Sequence, residues 1–202
     1  MKKIILLLLF TLITTTSYAS NAIIDSIHGN VQLKIDNEWV TAFVGQEIST
    51  STIISTGFGS EAKISIGGME LNVKPLTRVS INELNGNTTR ISLQSGRVRA
   101  TRSTSRNVDF RVSTPVATAA VRGTDFNISF NKVNVYEGLV KFSQGEAFVM
   151  IPGGTYSFAI NGLRPINPID IISENWSVSI NDSSDNSKNK ALNCGTVRLE
   201  LQ

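Results

Sequence analysis

The sequence predicts an all-β fold: a single domain of short antiparallel strands, built as a two-sheet sandwich or a solenoid-like β-roll. Three observations carry this expectation. Apolar residues recur with a two-residue period in runs of about six, the mark of half-buried strands. Turn dipeptides rich in Gly, Asn and Asp punctuate the runs every eight to twelve residues or about that. No 3.6-residue apolar stripe follows the N-terminal segment, so helix is not expected.

At the N-terminus, Lys2 and Lys3 precede a mostly apolar run, Ile4 to Ile13, and Ser17-Tyr18-Ala19 offers a small-x-small site. This is the pattern of a secretory signal peptide, residues 1–19, cut after Ala19. The run is too short to span a bilayer, which takes roughly 20 residues. The expected mature chain is exported, periplasmic or secreted, with no transmembrane segment. Without Lys2 and Lys3 it has 17 basic against 16 acidic residues, a net charge of +1. Charge alone therefore names no partner. The single Cys194 excludes an internal disulfide framework.

Residues 20–170 carry the strand pattern. His28-Gly29-Asn30 is a turn before Val31, Leu33 and Ile35, and Asp36-Asn37 is a hairpin turn before Trp39. The clearest hairpin joins Ala62, Ile64 and Ile66 through Gly67-Gly68 to Met69, Leu71 and Val73, with polar residues between them. Further strands fall at Leu76 to Leu84, around Ile91 and Leu93, at Arg97 to Ala100 after Ser95-Gly96, and at Val108 to Val112. Pro115 ends the last of these, because proline cannot donate to a ladder.

Val116 to Val121 is small or apolar on both parities, which suits a strand covered on both faces. Gly123 permits a sharp bend, and Phe126, Ile128 and Phe130 resume the two-residue period. Strands near 132–136, 139–143, 147–151 and 155–160 follow. Residues 171–202 form an extension: a strand through Trp176, a polar linker at 181–190, and a terminal strand with Val197, Leu199 and Leu201 on one side.

Thr114-Pro115, the Ala/Val run, Val121-Arg122-Gly123-Thr124-Asp125-Phe126 and Tyr136-Glu137-Gly138 together resemble the core signature of the FecR-domain family of bacterial envelope modules. Weaker matching pieces extend the resemblance over about Gly29 to Pro168. It implies a non-enzymatic binding or signalling module that regulates another envelope protein. Relatives that signal across the inner membrane carry an anti-sigma segment and a transmembrane helix. A cleaved signal here instead favours a periplasmic or secreted scaffold, ligand-binding or glycan-associated role.

The residues offer little catalytic chemistry. His28 is the only histidine and lies far in sequence from Cys194, so a nucleophile–histidine arrangement has one candidate base. No zinc-type spacing and no phosphate-loop pattern occur, and no cofactor or metal is expected. Carboxylates such as Glu61, Glu70, Glu83, Asp109, Asp125, Glu137 and Glu146 fall at outward or turn positions. A carbohydrate-active enzyme would need only two of them, and it stays as a lesser alternative. A structural or self-associating envelope protein using the terminal strand as an edge is the other. Arg122 and Asp125 are expected to pair across the Gly123 bend.

The one concentrated charge is basic. Between Arg90 and Arg111 six arginines face a single acid, Asp109. A hairpin turned at Ser95-Gly96 would pair Gln94 with Arg97, Ser92 with Arg99 and Arg90 with Thr101. It would place Arg90, Arg97, Arg99 and Arg111 on one outward face. Such a face suits an envelope protein or an anionic glycan, or else simply discourages edge aggregation. Nucleic acid is disfavoured by the expected export and by the lack of aromatics interleaved along the arginines, where only Phe110 occurs.

Overall fold

The computed structural model describes residues 22–86, 88–103, 109–160 and 163–170. The expected signal peptide, the strand at Trp176, the 181–190 linker, Cys194 and the 196–201 strand lie outside the described residues. Eighteen strands follow one another among the described residues. They are β1 (Ala22–His28), β2 (Val31–Ile35), β3 (Glu38–Thr41), β4 (Glu47–Ile48), β5 (Ile53–Thr56), β6 (Glu61–Ile66), β7 (Met69–Val73), β8 (Arg78–Leu84), β9 (Thr88–Ser95), β10 (Arg97–Arg102), β11 (Asp109–Ser113), β12 (Thr118–Val121), β13 (Asp125–Ser129), β14 (Lys132–Glu137), β15 (Leu139–Gln144), β16 (Ala147–Pro152), β17 (Thr155–Phe158) and β18 (Ile169–Asp170).

They form two sheets of nine. Sheet I runs β18-β17-β14-β13-β10-β7-β6-β1-β4, and sheet II runs β16-β15-β12-β11-β9-β8-β5-β2-β3. Both orders track the sequence almost monotonically. The chain advances by laying down a hairpin in one sheet, turning a corner and laying the next in the other. This is the all-β, two-sheet, roll-like architecture that the turn spacing predicts. One side of nearly every strand faces the other sheet, so the alternating residues Ile24, Leu33, Ile54, Ile64, Leu71 and Ile81 become a continuous core. Phe110, Phe126 and Phe142, all fully buried, fill the C-terminal half.

True hairpins sit where the sequence places them. Asp36 and Asn37 take φ of 49° and 73°, and Ile35 pairs with Glu38 across that two-residue loop. The Gly67-Gly68 hairpin pairs Ile66 with Met69 as expected. Corners use another device. At one rim, which we call the near rim, the loops are bonded in a row. Gly57 N donates to Asn30 O, Leu76 N to Gly57 O and Lys74 N to Arg97 O. Buried threonine hydroxyls staple the same row: Thr56 Oγ1 donates to Lys74 O, and Thr77 Oγ1 accepts from Arg97 N at 2.9 Å. At the opposite, far rim, Thr124 Oγ1 donates to Leu139 O at 3.1 Å and Gly153 N to Gly138 O at 2.9 Å.

Three expectations are corrected. Ser95-Gly96 is a corner, not a hairpin: β9 belongs to sheet II and β10 to sheet I, where β10 pairs with β7 and β13. Because β10 is a lone visit to sheet I, the chain re-enters sheet II from the far rim. β11 therefore runs parallel to β9, the one parallel pair among the described strands. The Ala/Val stretch is not covered on both faces. Ala117, Ala119 and Val121 are buried, but Thr118 and Ala120 sit half-buried on the outer face of β12. Finally, β13 stops at Ser129, and Phe130 lies half exposed in the turn.

Candidate functional site

The four arginines expected to share a face are divided by the Gly96 corner. Arg90 and Arg111 are direct neighbours on the outer face of sheet II. Arg97 and Arg99 lie on β10, on the outer face of sheet I. Three of the four hold carboxylates. Arg90 meets Glu83 at 2.6 Å, Arg111 meets Asp109 at 2.9 Å, and Arg99 grips Asp125 with two bonds, Nε to Oδ1 at 3.0 Å and Nη2 to Oδ2 at 2.8 Å. With Glu61–Lys74 and Glu70–Lys63 added, five of the acids picked out in the sequence are tied into cross-strand or same-strand ion pairs.

The Arg99–Asp125 fork also corrects the expected Arg122–Asp125 pair. β13 runs antiparallel to β10, so Asp125 comes up beside Arg99 and Thr101, and among the described residues no ion pair joins it to Arg122. Arg99 also stands 4.7 Å above the Tyr136 ring. The bidentate bond to Asp125 raises the Arg99 guanidinium above its ordinary range, against a smaller opposing effect of partial burial.

These contacts give the signature residues structural work. Thr114 Oγ1 closes the turn that leads into β12, accepting from Ala117 N at 3.0 Å, with Pro115 inside that turn. Thr124 staples the far-rim corner, and Gly138 must be glycine-like there. Its φ is +88°, and a Cβ would come within 3.3 Å of the Thr124 backbone. Gly123 has φ of +68° and lies under the Arg102 side chain.

Arg97 is the exception among the arginines. Its backbone is held at the corner by Thr77, while its exposed side chain borders a groove of about 290 Å³ on sheet I. Pro75, Gly96, Asn127, Ser129, Lys132 and Asn134 complete the lining. Asn127 and Asn134 face each other across the β13–β14 ladder. Each carboxamide leaves a buried oxygen, Oδ1, with no partner among the described residues. Buried polar atoms are normally bonded, so two adjacent orphans in residues that line a groove leave bonding capacity that turning the carboxamides would present to a ligand. Lys132 stands 4.2 Å from the centre of the Tyr156 ring, and Tyr156 is edge-on to Phe158. The groove thus presents positive charge, a hydroxyl and two amides over an aromatic flank. Sequence reasoning found Arg97 and missed both asparagines, since their outward polarity looked like ordinary strand alternation.

The model of the family described as FecR protein matches residues 52–141, from the end of the β4–β5 loop into β15. The match spans 90 residues, somewhat under half of the chain, and marks that stretch as similar to a FecR domain. Two crystal structures of a candidate anti-sigma factor from Parabacteroides distasonis, at 1.65 and 2.50 Å, share the fold with a TM-score of 0.51 and 16% identity. The likeness covers 58% of this chain and 59% of that one, so it extends over little more than half of either protein. No curated protein matches the chain.

Proposed function

We propose that this protein is a non-enzymatic signalling module of the bacterial envelope whose FecR domain holds a polar, acidic segment of a partner protein in the sheet I groove. The single observation that carries the reading is the pair of orphaned carboxamides, Asn127 and Asn134, lying beside an arginine, Arg97, that forms no ion pair among the described residues. A peptide segment supplies what is lacking. Its backbone N–H groups bond the amide oxygens, and its carbonyl or carboxylate groups answer Arg97 and Lys132. The FecR match and the fold likeness to a candidate anti-sigma factor support a regulatory role through protein contact. The charged start, apolar run and Ala19 site support export with residues 1–19 removed.

The test is capture of envelope proteins by the intact chain and by a variant carrying Arg97→Glu and Asn134→Ala. The variant is expected to keep its melting temperature and lose one discrete partner. Equal capture by both forms, with the same band pattern, would remove the groove from the account.

A further inference from the structure

The near rim carries a second surface. Its loops are bonded in a row from Ala42, which donates to Val31 O, through Gly57, Leu76, Lys74 and Arg97 to Asn131, which accepts from Ala159 N. Along this braced row the turns present large apolar side chains to solvent: Phe43 at 62%, Phe58 at 90%, Leu76 at 62%, Phe130 at 50%, Ile160 at 50% and Leu163 at 60%. Leu76 sits there at φ +55°, a conformation that a branched side chain adopts only at a cost and that Asn or Gly would take more easily. An exposed leucine held in such a position is a side chain kept for what it meets, since it contributes nothing to the core.

Charge at this rim is mostly positive. Lys74 is paired with Glu61, and Arg78, Arg97, Lys132 and Arg164 stand on the same turns or strand ends, against Glu146 in the β15–β16 turn. Trp39 lies on β3, paired with Lys34 one step from the Asp36-Asn37 hairpin, with the Arg78 guanidinium 5.4 Å from its ring centre.

We propose that the near rim docks on an anionic lipid surface, with the turn-tip side chains entering the headgroup–acyl boundary. Phe43, Phe58, Leu76 and Phe130 stand on separate turns and Ile160 and Leu163 share another, a shape that enters a fluid interface without needing a complementary pocket. The surrounding cations answer anionic headgroups. Arg97 and Lys132 border both the groove and the rim, so the test alters only the apolar turn tips Phe58 and Leu76, which do not line the groove, and its outcome is distinguishable from that of the peptide-binding role.

Every described strand lies within 22–170, so a chain lacking the apolar run at 1–19 keeps both sheets and removes that run as a source of lipid binding. Flotation of this chain is measured with vesicles of phosphatidylcholine alone and of phosphatidylcholine mixed with phosphatidylglycerol. It is expected to float with the mixed vesicles. Phe58→Ser with Leu76→Asn is expected to lower partitioning at least tenfold. The Asn at position 76 suits the left-handed backbone, so loss of fold is not the cause, and circular dichroism checks this. The idea is overturned if the parent chain stays in the aqueous fraction with both vesicle types or if the double variant floats equally well. It is also overturned if the substitutions abolish a concentration-dependent dimer while leaving flotation unchanged.

Discussion

Replacing Gly96 with alanine probes the device that turns the chain between sheets. The residue sits at φ +84°, where a Cβ costs about 1–2 kcal/mol from backbone strain alone. A Cβ there would lie 2.5 Å from Thr77 Cα and 2.7 Å from Leu76 O, backbone atoms that cannot swing aside as a side-chain tip can. Relief requires the 74–77 loop to move away. That move breaks the Arg97 N to Thr77 Oγ1 bond and the Thr77 Oγ1 to Arg97 O bond, each worth about 0.5–1.5 kcal/mol net. Together these predict a loss of about 2–5 kcal/mol. Gly145→Ala is the control: its φ is +58°, but a Cβ there meets nothing within 4 Å, so strain alone leaves a loss of about 1–2 kcal/mol. Urea unfolding followed by circular dichroism, with the m-value compared between variants, reads the difference. Equal losses for the two substitutions would refute the claim that the Gly96 corner is held by close backbone approach.

The remaining predictions concern separate parts of the structure. Phe142→Ala removes a fully buried ring between the sheets and should cost about 3–5 kcal/mol in the same assay. Asp125→Asn weakens a fork whose arginine is largely exposed, so stability should fall by no more than about 1 kcal/mol and the melting curve should shift little. Leu76→Asn relieves left-handed strain at an exposed site and should stabilise the chain by up to about 1 kcal/mol, a change of opposite sign to most substitutions. Thr124→Val removes the hydroxyl that reaches Leu139 O and should cost about 1–3 kcal/mol, visible as a lowered urea midpoint.

Much of the fold was legible because alternation and turn chemistry are local. The Ala62 to Val73 hairpin could be read residue by residue, since both its period and its Gly67-Gly68 turn are written in adjacent positions. The corner at Ser95-Gly96 was not legible, because inward and outward positions alternate in the same way whether the chain folds back beside itself or crosses to the facing sheet. Thr77 held the missing clue. Its full burial at a strand entrance makes sense only when a neighbouring corner needs its hydroxyl, and that neighbour is Arg97, distant in sequence.

The same ambiguity misplaced the arginines. Once β10 belongs to sheet I, Arg97 and Arg99 leave Arg90 and Arg111 on the opposite outer surface, and Asp125 finds Arg99 across a ladder no local rule could pair. Ala120 misled for a different reason. A small side chain on both parities looks like double coverage, yet on an outer face it only leaves the sheet flat, between Arg111 and Lys141. Asn127 and Asn134 were ordinary outward polar residues until register set them side by side.

Partner recognition by the sheet I groove is tested most directly by placing a photo-activated cross-linking residue at Ser129, within the groove lining, and at Ser92, in the middle of the Ser80, Ser92, Ser113 row on the outer face of sheet II. Irradiation of cells producing each form should give a discrete adduct from position 129 that disappears when Arg97→Glu is added, and none of that size from position 92. The same adduct from both positions, or one from position 129 that survives Arg97→Glu, would contradict recognition through the groove.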